Sequence, residues 1–227
     1  MILRKLSLLT LLSVCLSSLS QTSIRLPDII SSGMVLQQQT EVKIWGKATP
    51  GSRISIHTDW TRKDISTEAD ADSTWFLRVT TPKASWHQHV IALRENGNAT
   101  TQVVLSNVLI GEVWFCSGQS NMEMFLNGFG GCPIDGANEE IATAAEWAGR
   151  IRMANVPKTG NTEPQEWVSG CKWNVPDVNT APWMSAAAWH FAKMLTRTLQ
   201  VPVGIISCAW GGSRVEGWLP RNILESY

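Results

Sequence analysis

The stretch VWFCSGQSNMEM, Val113 to Met124, is where the sequence first offers chemistry: an apolar run gives way to Ser117, Gly118, Gln119, Ser120 and Asn121. A serine hydroxyl is a poor nucleophile unless a base takes its proton and donors await the oxyanion. A strand-to-helix turn supplies such donors, because unpaired backbone N–H groups collect at a helix N-terminus. Ser120 stands where that turn is expected. Gly118 allows close backbone approach, and Asn121 is placed to cap the helix or orient the loop. A second block, CAWGGSRVEGW, puts Gly211 and Gly212 after another apolar run, at the strand end where α/β sheets build ligand crevices. One of those glycine N–H groups is placed to meet the same oxyanion. The residue pattern alone leaves a blander reading open, in which Ser120 or Asn121 only caps a helix and Gly-Gly-Ser is a plain turn. The G-x-S-x-G elbow is not matched, since Met122 stands where its second glycine belongs, and the S-x-x-K from Ser169 to Lys172 lies in loop-like sequence without companion boxes.

Metal and cofactor chemistry finds little support in the pattern. There is no C-x-x-C and no H-E-x-x-H, so no zinc-site spacing is present. Trp86, His87 and His89 invite a metal or sugar reading because residues two apart on a strand share a face. No third ligand is in view, and a solvated strand end is expected. Cys116 and Cys208 end apolar runs, where a thiol serves as a small hydrophobe. Cys132 and Cys171 lie in loop-like sequence and are placed to pair in an oxidising compartment.

The elements that must position these residues divide the chain in two. From about Leu26 to Leu109, short alternating runs (MVLQQ, EVKIWGKA, SRISIHTD, TWFLRVTT, HVIALREN, TQVVLSNVLI) are separated by turn chemistry at Pro50-Gly51, Asp70 to Ser73 and Asn96-Gly97. That is the pattern of a β-sandwich, assigned to residues 24–108. Beyond it, strands alternate with helical patterns, the mark of an α/β unit over residues 109–227. EVWFCS, IRMANV and VGIISCAW read as strands, the last buried on both faces of a parallel sheet. EEIATAAEWAGR reads as a helix. So does APWMSAAAWHFAKMLTRTLQ, with Met184, Ala188, Phe191 and Leu195 on its buried face.

Composition narrows the partners. The 227 residues carry 19 Lys+Arg and 19 Asp+Glu, interspersed, so neither nucleic acid nor an anionic membrane surface is indicated. Twelve Trp against one Tyr and five Phe suit packing and sugar stacking, since indole has a flat apolar face and one donor. Arg4 and Lys5 precede LSLLTLLSVCLSSLS, which reads as a signal peptide over residues 1–20, too short to span a bilayer. A lipoprotein anchor at Cys15 is disfavoured because Val14 stands where a small residue is wanted. Secreted or periplasmic location is therefore expected, with no membrane association beyond the leader. Oligomeric state is not encoded legibly.

GEVWFCSGQSNMEM together with PVGIISCAWGGSRVEGW resembles the sialate O-acetylesterase family, carbohydrate acetylesterases of the SGNH type, and GMVLQQ…EVKIWGKATPGSRISI resembles the sandwich that precedes their catalytic domain. The resemblance runs from Leu26 to Pro220. It implies a β-sandwich followed by an incomplete SGNH-hydrolase-like (flavodoxin-like) three-layer α/β domain. It further implies Ser120 as nucleophile, an acetylated carbohydrate as substrate, and the N–H groups of Ser120 and of Gly211 or Gly212 as oxyanion donors. Gln119 and Asn121 would shape the pocket, and Trp210 and Trp218 would wall it. The acetylesterase chemistry implied by the resemblance needs neither a metal nor an organic cofactor. The resemblance also implies a W-Y-Q-G-E-[SN]-N-like block and an Asp-x-x-His base, and this sequence contains neither. His190, in mid-helix, is a poor substitute. The expectation is the N-terminal portion of a longer enzyme, with the base outside this sequence and little or no turnover. The alternative from another class is a non-catalytic carbohydrate-binding protein built on the sandwich.

Overall fold

A computed structural model describes residues 22–161 and 163–226. The leader expected over residues 1–20, Cys15 included, lies outside the described residues. The fold is mixed α/β, mostly sheet with few helices.

The alternating runs become strands with one face sealed. β2 (Glu41–Lys47) pairs antiparallel with β5 (Thr74–Thr80) as a two-stranded sheet. Facing it, β3 (Arg53–Thr58) pairs with β4 (Ile65–Glu68) on one side and with β6 (Ser85–Glu95) on the other. Ile44, Trp75 and Val79 from the first sheet meet Ile54, Ile56, Ile91 and Leu93 from the second in one core. This is the sandwich expected from period-two alternation, which puts every second side chain inward.

The runs expected as two strands either side of residue 108 form a single strand, β7 (Val103–Gly118). Its first half pairs antiparallel with β6, and its second half pairs parallel with β10 (Val203–Ala209). Between the halves it also pairs parallel with β1 (Val35–Gln37). Gly111 sits at this change of partners, where a Cβ would lie 2.0 Å from the Pro202 carbonyl oxygen. Glycine is thus required for close approach, and the strand runs through without a turn.

The sheet continues from β10 to β8 (Ile151–Asn155) in parallel and then to the short antiparallel β9 (Trp173–Asn174), giving the order β4-β3-β6-β7-β10-β8-β9. The helices are α1 (Ser120–Glu123), α2 (Ala137–Ala142), α3 (Ala186–Leu199) and α4 (Arg221–Leu224). Ser185 caps α3 by accepting from the Ala188 N–H, and Gln200 ends it in the left-handed conformation at φ 55°. The helix buries Ala188, Trp189 and Ala192 against Ile151, Met153, Val203 and Ile205, the second core. Phe191 and Leu195 pack at its border, so the buried stripe is centred on Trp189, beside the face read from the sequence. The stretch read as one helix from Glu139 to Arg150 is instead α2 followed by a 3-10 turn at Ala144–Trp147.

Cys132 and Cys171 do not pair. Both are free, Cys132 exposed at the Phe129–Cys132 turn and Cys171 buried. Burial, together with the neighbouring Cys208 and Asp28, pushes the Cys171 thiol up to about 11. No helix among the described residues is long and apolar enough to cross a membrane.

Candidate active site

The site lies where β7 and β10 end side by side. Parallel pairing aligns Ala209 with Gly118, and the Trp210 N–H donates to the Gly118 carbonyl at 3.0 Å. The two loops that leave the sheet here are those carrying Gln-Ser-Asn and Gly-Gly. Gly118 takes φ +155°, and a Cβ on it would lie 3.1 Å from the Met122 Cβ, so the chain turns tightly from strand into α1. Ser120 opens α1 and is exposed. The N-cap position is Gln119, whose side chain makes no capping bond, so Asn121 is not the cap. Gln119 and Asn121 are both exposed beside the serine.

The diglycine bend comes up to the serine. A Cβ on Gly211 would stand 3.7 Å from both Cα and Cβ of Ser120. The two blocks read from the sequence, 91 positions apart by number (211 minus 120), are thus in contact range. The Gly211 N–H, however, donates to the Glu123 carboxylate, whose other oxygen pairs with Lys158. Burial alone would push the Glu123 carboxyl up. Hydrogen bonds from Lys158 and the Gly211 amide, with the Lys158 charge, outweigh it and hold the group below the ordinary glutamate value. Gly212, next along, has φ +75° with open space over its Cα.

Glu123 and Lys158 were not legible as site residues in the sequence. The only local signal is the placement of Glu123 three residues after Ser120, on the same side of a helical turn. Beside them lies a cavity of about 210 Å³ bounded by Phe125, Asn155, Trp183 and Ser207 as well as Glu123 and Lys158. Its aromatic lining is Phe125 and Trp183, edge to face at 6.1 Å. Trp210 and Trp218 do not line this cavity. They sit 42% and 36% exposed, with the Trp218 indole N–H donating to Ser213.

All four histidines have other surroundings. His57 meets Asp64, and His87 and His89 meet Asp59. His190 is exposed on α3, near enough to Glu140 to stabilise its charge. Among the described residues, none places an imidazole in a hydrogen bond with Ser120.

No protein-family model matches the sequence. Curated relatives do match: the mouse sialate O-acetylesterase is 28% identical over 214 residues, 89% of this chain and 38% of its own length. The orangutan (Pongo abelii) and human sialate O-acetylesterases are each 30% identical over 215 residues, 89% of this chain and 40% of theirs. The chain is similar to the sialate O-acetylesterases. It spans about two fifths of the length of these relatives. Among solved structures, a carbohydrate acetylesterase from Xanthomonas citri superposes with a TM-score of 0.80 at 29% identity, over 89% of this chain and 43% of that one. The likeness to the acetylesterases therefore holds in sequence and in fold, over about nine tenths of this chain.

Proposed function

We propose that this chain carries the nucleophile half of a secreted carbohydrate O-acetylesterase, with Ser120 as the residue that takes the acetyl group. The observation that carries the reading is the meeting of an exposed serine at the start of α1 with the diglycine bend after β10. The names of the relatives supply the substrate class, and the N-terminal leader read from the sequence supplies the location.

In this reading the Ser120 Oγ attacks the acetyl carbonyl carbon while its proton passes to a base. The oxyanion faces the N–H groups of Ser120 and Gly212, because the Gly211 N–H is occupied by Glu123. Glu123 is then a positioning residue that fixes the bend. Collapse of the tetrahedral adduct breaks the bond to the sugar oxygen, which leaves with a proton, and acetyl-Ser120 remains. Water completes the cycle by releasing acetate. The Asp-x-x-His that the resemblance implies as base is not in this sequence, and no histidine here meets Ser120. Loss of the base in a serine hydrolase costs on the order of 10⁶-fold in kcat, so with no histidine beside Ser120 this chain acetylates slowly and turns over negligibly.

Peptide mass mapping after incubation with an activated aryl acetate tests this. The expected result is acetyl on Ser120 in preference to every other serine and lysine, lost in Ser120→Ala. Acetyl spread over surface lysines with none at Ser120 would overturn it.

A further inference from the structure

Far from Ser120, one edge of the sandwich gathers three metal-ligating side chains that the proposed reaction does not use. Asp59 follows the last residue of β3, and the β3–β6 ladder extends through it: Thr58 lies opposite Ile91, and the Asp59 N–H donates to the Val90 carbonyl at 3.3 Å. This brings a carboxylate from the end of β3 up to the part of β6 that carries His87 and His89. The register of β6 against β7 shifts on both sides of His89, an irregularity of the kind that re-aims side chains.

The geometry is convergent. Asp59 Oδ1 is 2.7 Å from His89 Nδ1, and Asp59 Oδ2 is 3.8 Å from His87 Nε2. One ligand atom from each of the three residues lies within 4.8 Å of the other two. The two imidazoles meet edge to face at 76°, with centroids 4.7 Å apart. The carboxylate is held by the Val90 N–H, which donates to Oδ2 at 2.9 Å. Trp60 packs edge-on against His89 at 5.0 Å and helps bury it to 8% exposure, while the His87 side chain is 68% exposed. An ion would thus find one buried imidazole, one carboxylate held by a backbone N–H, and one imidazole open to solvent.

We propose that Asp59, His87 and His89 bind a single divalent first-row transition-metal ion of the Zn²⁺ class on the β-sandwich. Two imidazole nitrogens and a carboxylate oxygen form a donor set that such ions accept, whereas Mg²⁺ and Ca²⁺ favour oxygen alone. With metal–ligand bonds of about 2.0–2.2 Å, ligand atoms in a tetrahedral site are roughly 3.3 Å apart. Binding opens the Asp59–His89 contact and draws the exposed His87 ring inward toward the other two ligands. The ion takes the place of the proton in the Asp59–His89 contact, that proton passes to solvent, and water fills the remaining coordination position. The site is independent of the esterase reading. Val108, the β7 partner of His89, lies some 30 Å of strand before Gly118.

The test uses the full chain stripped with a chelator, titrated with Zn²⁺ by calorimetry and with Co²⁺ by visible absorption. One ion per chain is expected, with tetrahedral Co²⁺ bands. His87→Ala and His87→Gln, changes at an exposed side chain that leave the fold intact, each weaken binding about 30-fold or more, as does Asp59→Asn. His57→Gln leaves it unaltered. Thermal unfolding of wild type shifts upward with Zn²⁺, and that of His87→Ala does not. Absence of stoichiometric binding, or binding that His87→Ala and Asp59→Asn leave unchanged, as a thiol site elsewhere would produce, overturns the proposal.

Discussion

At the residue scale the account turns on Ser120 and on the carboxylate that holds its neighbour in place. The Gln-Ser-Asn and Gly-Gly blocks were legible because each combines a polar group, a glycine and the end of an apolar run, all local features. Glu123 was not, because its role depends on Gly211, 88 positions away, and on Lys158, 35 positions away. Asp59 is hidden in the sequence for the same reason, lying 30 positions from His89. Side chains that act through long-range pairing leave no trace in spacing. Glu123→Gln should lower stability by about 1–3 kcal/mol, since a buried charge-assisted pair is replaced by a weaker one and Lys158 loses its counter-charge. The pH dependence follows from the lowered carboxyl. The unfolded chain takes up the proton first as pH falls below about 4.5, so the contribution of Glu123 is complete above that value and is lost as pH drops through the lower folded one. Denaturant titrations at pH 6, 4.5 and 3.5 should show the difference between wild type and Glu123→Gln shrinking with acid.

At the element scale, β7 carries the architecture. Periodicity showed its two halves, but their joining was hidden, because the change of partner at Gly111 is enforced by Pro202 from a distant segment. Gly111→Ala places a methyl against a backbone carbonyl that cannot rotate away, and it should cost at least about 3 kcal/mol, above the usual range for overpacking. Chemical denaturation would register this as a lowered midpoint with unchanged slope. β4 is silent in the sequence for a different reason: Ile65–Glu68 has one strong apolar residue and its burial is intermediate to exposed, so no hydrophobic signal marks it. In α3 the apolar period marks the helix but not the centre of its buried face, because Trp189 outweighs Phe191 in the core. Trp189 is fully buried, its indole N–H donates to Glu140 at 2.8 Å, and its ring meets Trp147 edge-on. Trp189→Ala should cost about 3–5 kcal/mol, against less than about 1 kcal/mol for a change at exposed Met194.

At the scale of the whole molecule, two cores share one sheet. The sandwich core and the α3 core are separate clusters of side chains, yet β7 contributes Leu105 and Val108 to the first and partners β10, which lines the second. Such a shared strand couples the two parts, so unfolding should be cooperative, with circular dichroism and tryptophan fluorescence giving coincident transitions. The same continuity explains how a sandwich rich in turns and a parallel sheet edge together fix the two loops that meet at Ser120. The measurement that bears most directly on that meeting is the release of nitrophenolate from 4-nitrophenyl acetate by the purified chain and by Ser120→Ala. The account predicts a slow release of one equivalent per chain with negligible turnover afterwards, absent from Ser120→Ala. An equal release from both proteins would contradict the nucleophile, and sustained turnover that depends on Ser120 would contradict the claim that no base stands beside it.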